Sequence, residues 1–149
     1  MSELGATVGT LLRHKKGDVW SVSPGDSVYD AIRLMAEKGI GSVLVTDGQR
    51  LVGILSERDY ARKIALHDRS SKATKVSEIM TAPVTFVSQK HTVSDCMQIM
   101  TEERVRHLPV VDEGAIAGII SIGDLVNWII TEQQQTIRHL EAYITGVAA

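Results

Sequence analysis

The sequence has little with which to staple a fold, stack rings or hold a charged polymer. Of its 149 residues, one is cysteine (Cys96), three are proline and one is phenylalanine, and aromatic residues make up only 4%. A single cysteine excludes an intramolecular disulfide and fits a reducing compartment, so a cytoplasmic location is expected. Sixteen Lys and Arg against eighteen Asp and Glu give a formal net charge of −2, which argues against a nucleic-acid face. Long apolar runs are missing too. The most apolar window, residues 116–130, contains Asp124 and falls short of a membrane span. The first 18 residues mix Arg13, His14, Lys15 and Lys16 with short apolar stretches and read as having no signal-peptide core. That basic run reads as solvated surface. Enzyme signatures are absent as well: there is no phosphate-loop pattern, no Gly-x-Ser-x-Gly elbow and no cysteine pair. The five histidines (His14, His67, His91, His107 and His139) show no metal-ligand spacing. No catalysis and no metal are expected.

What is present is a repeat. A shift of 65 residues aligns 22–60 with 87–125 without a gap, and twelve of the 39 positions are identical, from Val22/Val87 to Asp59/Asp124. Unrelated segments of ordinary composition would share about two or three. A weaker match lies upstream, Val8-Gly9-Thr10-Leu11-Leu12 against Val76-Ser77-Glu78-Ile79-Met80. The chain is a tandem duplication.

Both copies carry the same run of elements. A short apolar strand (19–22; 84–87) leads to a helix whose N-cap is Ser27 or Thr92, with Asp30 or Asp95 three residues on. Val28, Ala31, Ile32 and Met35 match Val93, Cys96, Met97 and Met100 as one buried helical stripe. Cys96 is thus expected to be a small core residue. Gly39 stops the first helix; Arg104 stands in its place in the second, a weaker stop. Two apolar runs joined by Asp47-Gly48-Gln49-Arg50, or by Asp112-Glu113-Gly114-Ala115, read as hairpins. A second helix begins near Asp59 or Asp124. The fold class is α/β (α+β): two β-α-β-β-α repeats at 8–66 and 76–130, a polar linker at 67–75, and an amphipathic C-terminal helix and tail at 131–149. The stripe Ile137, Leu140, Ile144 on that last helix needs a partner.

The duplicated unit resembles a pair of CBS domains, the cystathionine-β-synthase-type repeat. The residues that carry the resemblance are Gly53-Ile54-Leu55-Ser56-Glu57-Arg58-Asp59 and Gly118-Ile119-Ile120-Ser121-Ile122-Gly123-Asp124. Met80-Thr81 and Arg106-His107-Leu108-Pro109-Val110-Val111-Asp112 add to them. Chemically, a carboxylate at Ser-x-x-Asp can accept from both hydroxyls of a ribose diol. Helix-start amides favour a phosphate nearby, and Arg58 is a forked cation suited to one. Helix capping alone is the plainer role for the same Ser and Asp.

The resemblance implies pseudo-twofold packing of the repeats and two ligand clefts. Site one would hold Ser56, Arg58, Asp59, Val84, Thr85, Val105 and Arg106. Site two would hold Ser121, Asp124, Val19, Trp20, Ile40, Gly41 and His107. Site one is preferred if only one is functional, because Gly123 replaces Arg58 in the second copy. The resemblance further implies a small stand-alone regulatory protein that binds AMP, ADP or ATP, with NAD or S-adenosylmethionine as other adenosyl ligands. It would form a homodimer and signal to a protein target. Two other readings stand beside it: a ligand-independent dimerisation scaffold, and the regulatory subunit of an enzyme.

Overall fold

The computed structural model describes residues 3–15 and 17–145; Lys16 of the basic run and the tail at 146–149 lie outside them. Eleven regular elements carry the fold: α1 (Val8–His14), β1 (Ser21–Val22), α2 (Val28–Lys38), β2 (Ser42–Asp47), β3 (Arg50–Ser56), α3 (Glu57–Lys63), α4 (Val76–Ile79), α5 (Val93–Glu103), β4 (His107–Asp112), β5 (Ala115–Ser121) and α6 (Ile122–Thr145). The last helix starts at Ile122, so it continues the second copy rather than following it.

Two compact units share these elements. One is Gly17–Phe86 with Val111–Gly118; the other takes α1, Val87–Val110 and the chain from Ile119 onward. Units and repeats do not coincide, and backbone hydrogen bonds give the reason. The N–H groups of Val8 and Gly9 donate to the carbonyls of His91 and Gln89, and that of Val93 donates to Ala6. In the other unit, Val76 and Ser77 donate to Asp26 and Pro24, and Val28 donates to Thr74. Each upstream helix therefore closes the copy that its own sequence does not lead into. The orphan amides of a helix start are satisfied by this stitching.

The apolar stripes close each unit's core. Val28, Ala31 and Met35 pack with Val43, Val45, Leu55, Val76 and Ile79. Val93, Cys96 and Met100 pack with Val8, Leu11, Leu108, Val110, Ile120 and Leu125. Ser27 and Thr92 cap α2 and α5 by accepting from the Asp30 and Asp95 amides. Arg104 adopts the left-handed conformation (φ 56°) that Gly39 takes at φ 65°, so the second helix ends as sharply as the first despite its side chain.

The leading strands differ. β1 runs parallel to β2, and Leu44 N–H donates to Trp20 C=O. In the second copy only the Val87–Val110 bridge forms, with Val87 N–H donating to Pro109 C=O. Pro109 stands where Leu44 stands and has no N–H to return. The expected strand at 84–87 is thereby reduced to a single bridge.

Candidate functional site

Both Ser-x-x-Asp segments turn from strand to helix in the same way. Ser56 ends β3 in extended conformation and caps α3: its Oγ accepts from the Asp59 amide at 3.2 Å, while Ser56 N–H donates to Asp59 Oδ2 at 3.0 Å. Ser121 and Asp124 repeat this at 3.1 and 2.8 Å. The reciprocal pair satisfies two helix-start donors and fixes each carboxylate beside them.

The surroundings of the two carboxylates differ. Asp59 is buried, 9% exposed. Its Oδ2 also accepts from the Ser56 hydroxyl, and its Oδ1 accepts from Thr81 Oγ1 at 3.2 Å and faces Lys63 Nζ at 3.2 Å. Lys63 in turn donates to the Ile79 carbonyl at 2.9 Å. Asp124 keeps 23% of its side chain exposed and pairs with Lys15 at 2.8 Å, and Lys15 also donates to the Ile119 carbonyl at 2.6 Å. Burial pushes the Asp124 carboxyl up, but the Lys15 ammonium and the Ser121 donors outweigh it and hold the group below its ordinary range. A cavity of about 640 Å³ opens beside this pair, lined among others by His14, Lys15, Asp124, Asn127 and Trp128. The buried Trp128 Nε1 has no hydrogen-bond acceptor among the described residues.

The remaining candidates fall as follows. Val84 is half-buried and Thr85 exposed, both in the unit of Ser56, exposed Arg58 and Asp59. Val105, packed on the core, and exposed Arg106 belong to the other unit, with Ser121, Asp124 and His107. The Arg106 carbonyl accepts from the first amide of α6, that of Ile122. Val19, Trp20, Ile40 and Gly41 belong to the unit of the first turn. Val19 lines a cavity of about 330 Å³ with Ser21, Leu44 and Thr46. Trp20 packs on its core with Lys38 Nζ 4.2 Å above the ring. The Gly41 carbonyl receives the Glu57 amide.

Three residues outside the expected site lists meet the two aspartates. Lys63 sits four residues after Asp59, a helical spacing that signals an ion pair. Thr81 stands in the Met80-Thr81 string, but its contact with Asp59, like that of Lys15 with Asp124, carries no local signal, because the exchange of upstream helices brings both in. Contrary to the expectation of a solvated basic run, Lys15 is tied to Asp124. Among the described residues no cluster of three or more His, Cys, Asp or Glu forms a metal site, and no helix is long and apolar enough to cross a membrane.

The CBS-domain family model matches residues 8–66 and 76–131. The chain belongs to the CBS-domain family. The mitochondrial CBS domain-containing protein CBSX3 of Arabidopsis thaliana is 41% identical over 126 residues, which cover 81% of this chain and 61% of that protein. The chain thus spans about three-fifths of that relative's length. Among solved structures, a CBS-domain protein of Burkholderia ambifaria MC40-6, named for signal transduction, is 53% identical with a TM-score of 0.83, over 86% of this chain and 96% of that one. The CBS domain NE2398 is 48% identical with a TM-score of 0.79, over 83% and 97%. A CBS domain pair is in general a regulatory, signal-transducing module.

Proposed function

We propose that this CBS-domain pair senses an adenine nucleotide and relays its occupancy to a protein partner, without catalysing a reaction itself. One observation carries the reading: Asp124, at a helix start, stays partly exposed beside a polar cavity of about 640 Å³ that also holds Lys15 and His14. The carboxylate suits a ribose diol, and the Lys15 ammonium suits a phosphate. This supports a first ligand at the second turn, whereas Arg58 alone would favour the first turn, where Asp59 is enclosed by Ser56, Thr81 and Lys63. AMP, ADP and ATP are the ligands we assign first, NAD and S-adenosylmethionine next, and the cytoplasm is the location. Binding shifts the partner's response only by its differential affinity for two arrangements of the protein.

Isothermal titration of nucleotide-free protein with each of these ligands tests the reading. Binding that survives Asp59→Ala and is lost in Asp124→Ala is the expected result. Absence of heat with every ligand at millimolar concentration would leave the scaffold reading in its place.

A further inference from the structure

Helix α6 carries two apolar stripes, and only one of them is used by its own unit. Leu125 is buried, and Trp128 and Ile129 pack against the core. The other stripe is Val126, Ile130, Ile137, Leu140 and Ile144, with exposure rising from 47% at Val126 to 81% at Ile144. With Gln133 included, these positions advance by four and three residues in turn, the 3.5-residue period of a coiled-coil seam. A simple surface helix shows no such second seam opposite solvent. The family match ends at residue 131, so the seam from Gln133 to Ile144 lies beyond the shared module.

We propose that this seam pairs with the same seam of a second copy of the chain, as a parallel, in-register two-stranded coiled coil. Ile130, Ile137 and Ile144 take the positions where β-branched residues favour two parallel strands, and Leu140 takes the position where leucine does. Gln133 selects the orientation. In register its amide meets Gln133 of the second copy and can both donate and accept. Antiparallel overlap of the same stretch sets it against an isoleucine and buries an unpaired amide.

The flanks do not oppose self-pairing. Asn127, Gln134 and Glu141 on one side, and Ile129, Thr136 and Tyr143 on the other, include a single charged residue. The exposed apolar side chains amount to on the order of 500 Å² per copy, and a pair that covers them fully buries about 1,000 Å², the threshold for a specific interface. None of this rests on nucleotide binding, so the two readings fail separately.

Light scattering on the eluting full-length chain, together with two single-cysteine additions, tests the proposal. The chain is expected at twice its 16.3 kDa or a higher even multiple, and Ile137→Asp with Leu140→Asp is expected to halve that mass. Mild oxidation of Ile137→Cys is expected to give a covalent dimer. Gln135→Cys, on the opposite face of α6, is expected to give none, and buried Cys96 does not intrude. A wild-type mass of one chain overturns the proposal, as does an unchanged mass in the double variant or equal cross-linking at 135 and 137. The cysteine arm decides the matter even where the aspartates disturb the helix.

Discussion

The two Ser-x-x-Asp turns have one geometry and two environments. In both, serine caps a helix and aspartate returns the hydrogen bond, as four residues of sequence dictate. What holds the aspartate from the far side differs. Asp59 takes a lysine from its own helix and a threonine from the segment after α4, whereas Asp124 takes Lys15 from the segment after α1. Duplication preserved the local motif, and each copy found a different cation for the equivalent carboxylate, buried at Asp59 and partly exposed at Asp124. A local motif specifies its own caps, but whether the carboxylate stays reachable depends on the element packed across from it.

The largest test of this difference is removal of each carboxylate. Asp59→Ala removes a buried carboxylate that caps α3 and accepts from the Ser56 amide and hydroxyl and from Thr81, and a loss of about 2–3 kcal/mol is expected. Asp124→Ala, with more solvent to compensate, is expected to cost about 1–2 kcal/mol. Urea unfolding of the two variants measures both. Equal losses would mean that the environments do not matter.

The lysines come next. Lys15→Met is expected to cost about 1 kcal/mol, and Lys63→Met less, because Lys63 is the more exposed of the two. Acid behaviour separates them further. The Asp124 carboxyl is held low in the folded protein, so on acidification the unfolded chain takes up the proton first. The stabilisation is complete above the ordinary carboxylate range, near pH 4, and is lost as pH falls through the folded value. Melting temperature followed from pH 6 to pH 3 should therefore fall less steeply in Asp124→Asn. In Lys15→Met the Ser121 donors alone oppose burial, the folded carboxyl lies closer to its unfolded value, and the fall should again be shallower than in the unsubstituted protein.

How far could the sequence be read? The repeat, its helix stripes, its caps and its hairpins follow from spacing alone, because periodicity and capping are local. Partners brought in by the exchange of α1 and α4 could not be read, since nothing in Lys15 or Thr81 marks the strand it will meet. The shortened strand at 84–87 lay in between: Pro109 was visible, but its effect depended on which carbonyl it faced. Arg104 is a similar case. Its side chain predicted a weaker stop, yet the surrounding fold imposes the left-handed turn at φ 56°. A non-glycine residue there costs roughly 1 kcal/mol, so Arg104→Gly should stabilise the protein by up to about that much. Gly39→Ala should cost a similar amount. Thermal unfolding of both variants compares the two helix ends directly.

The smallest expected effect concerns the position where the copies differ by one atom, Ala31 and Cys96. Both are fully buried on the equivalent face of their helices, so each serves its core as a small apolar side chain. Burial, with a contribution from nearby Asp95, pushes the Cys96 thiol up to about 11. At pH 8 the thiolate, which is the reactive form, is then a population of order one in a thousand. A thiol reagent such as Ellman's should therefore label the native protein only at its rate of opening, and label the urea-unfolded chain at once. Cys96→Ala, which makes the second stripe match the first, should change stability by less than about 1 kcal/mol, since sulfur here contributes packing and little else. Rapid labelling of the native protein would show that the second core opens where the first, with alanine, offers no probe. Introducing Ala31→Cys then supplies the missing probe, and equal slow labelling at 31 and 96 is the outcome expected if the two cores are equally closed.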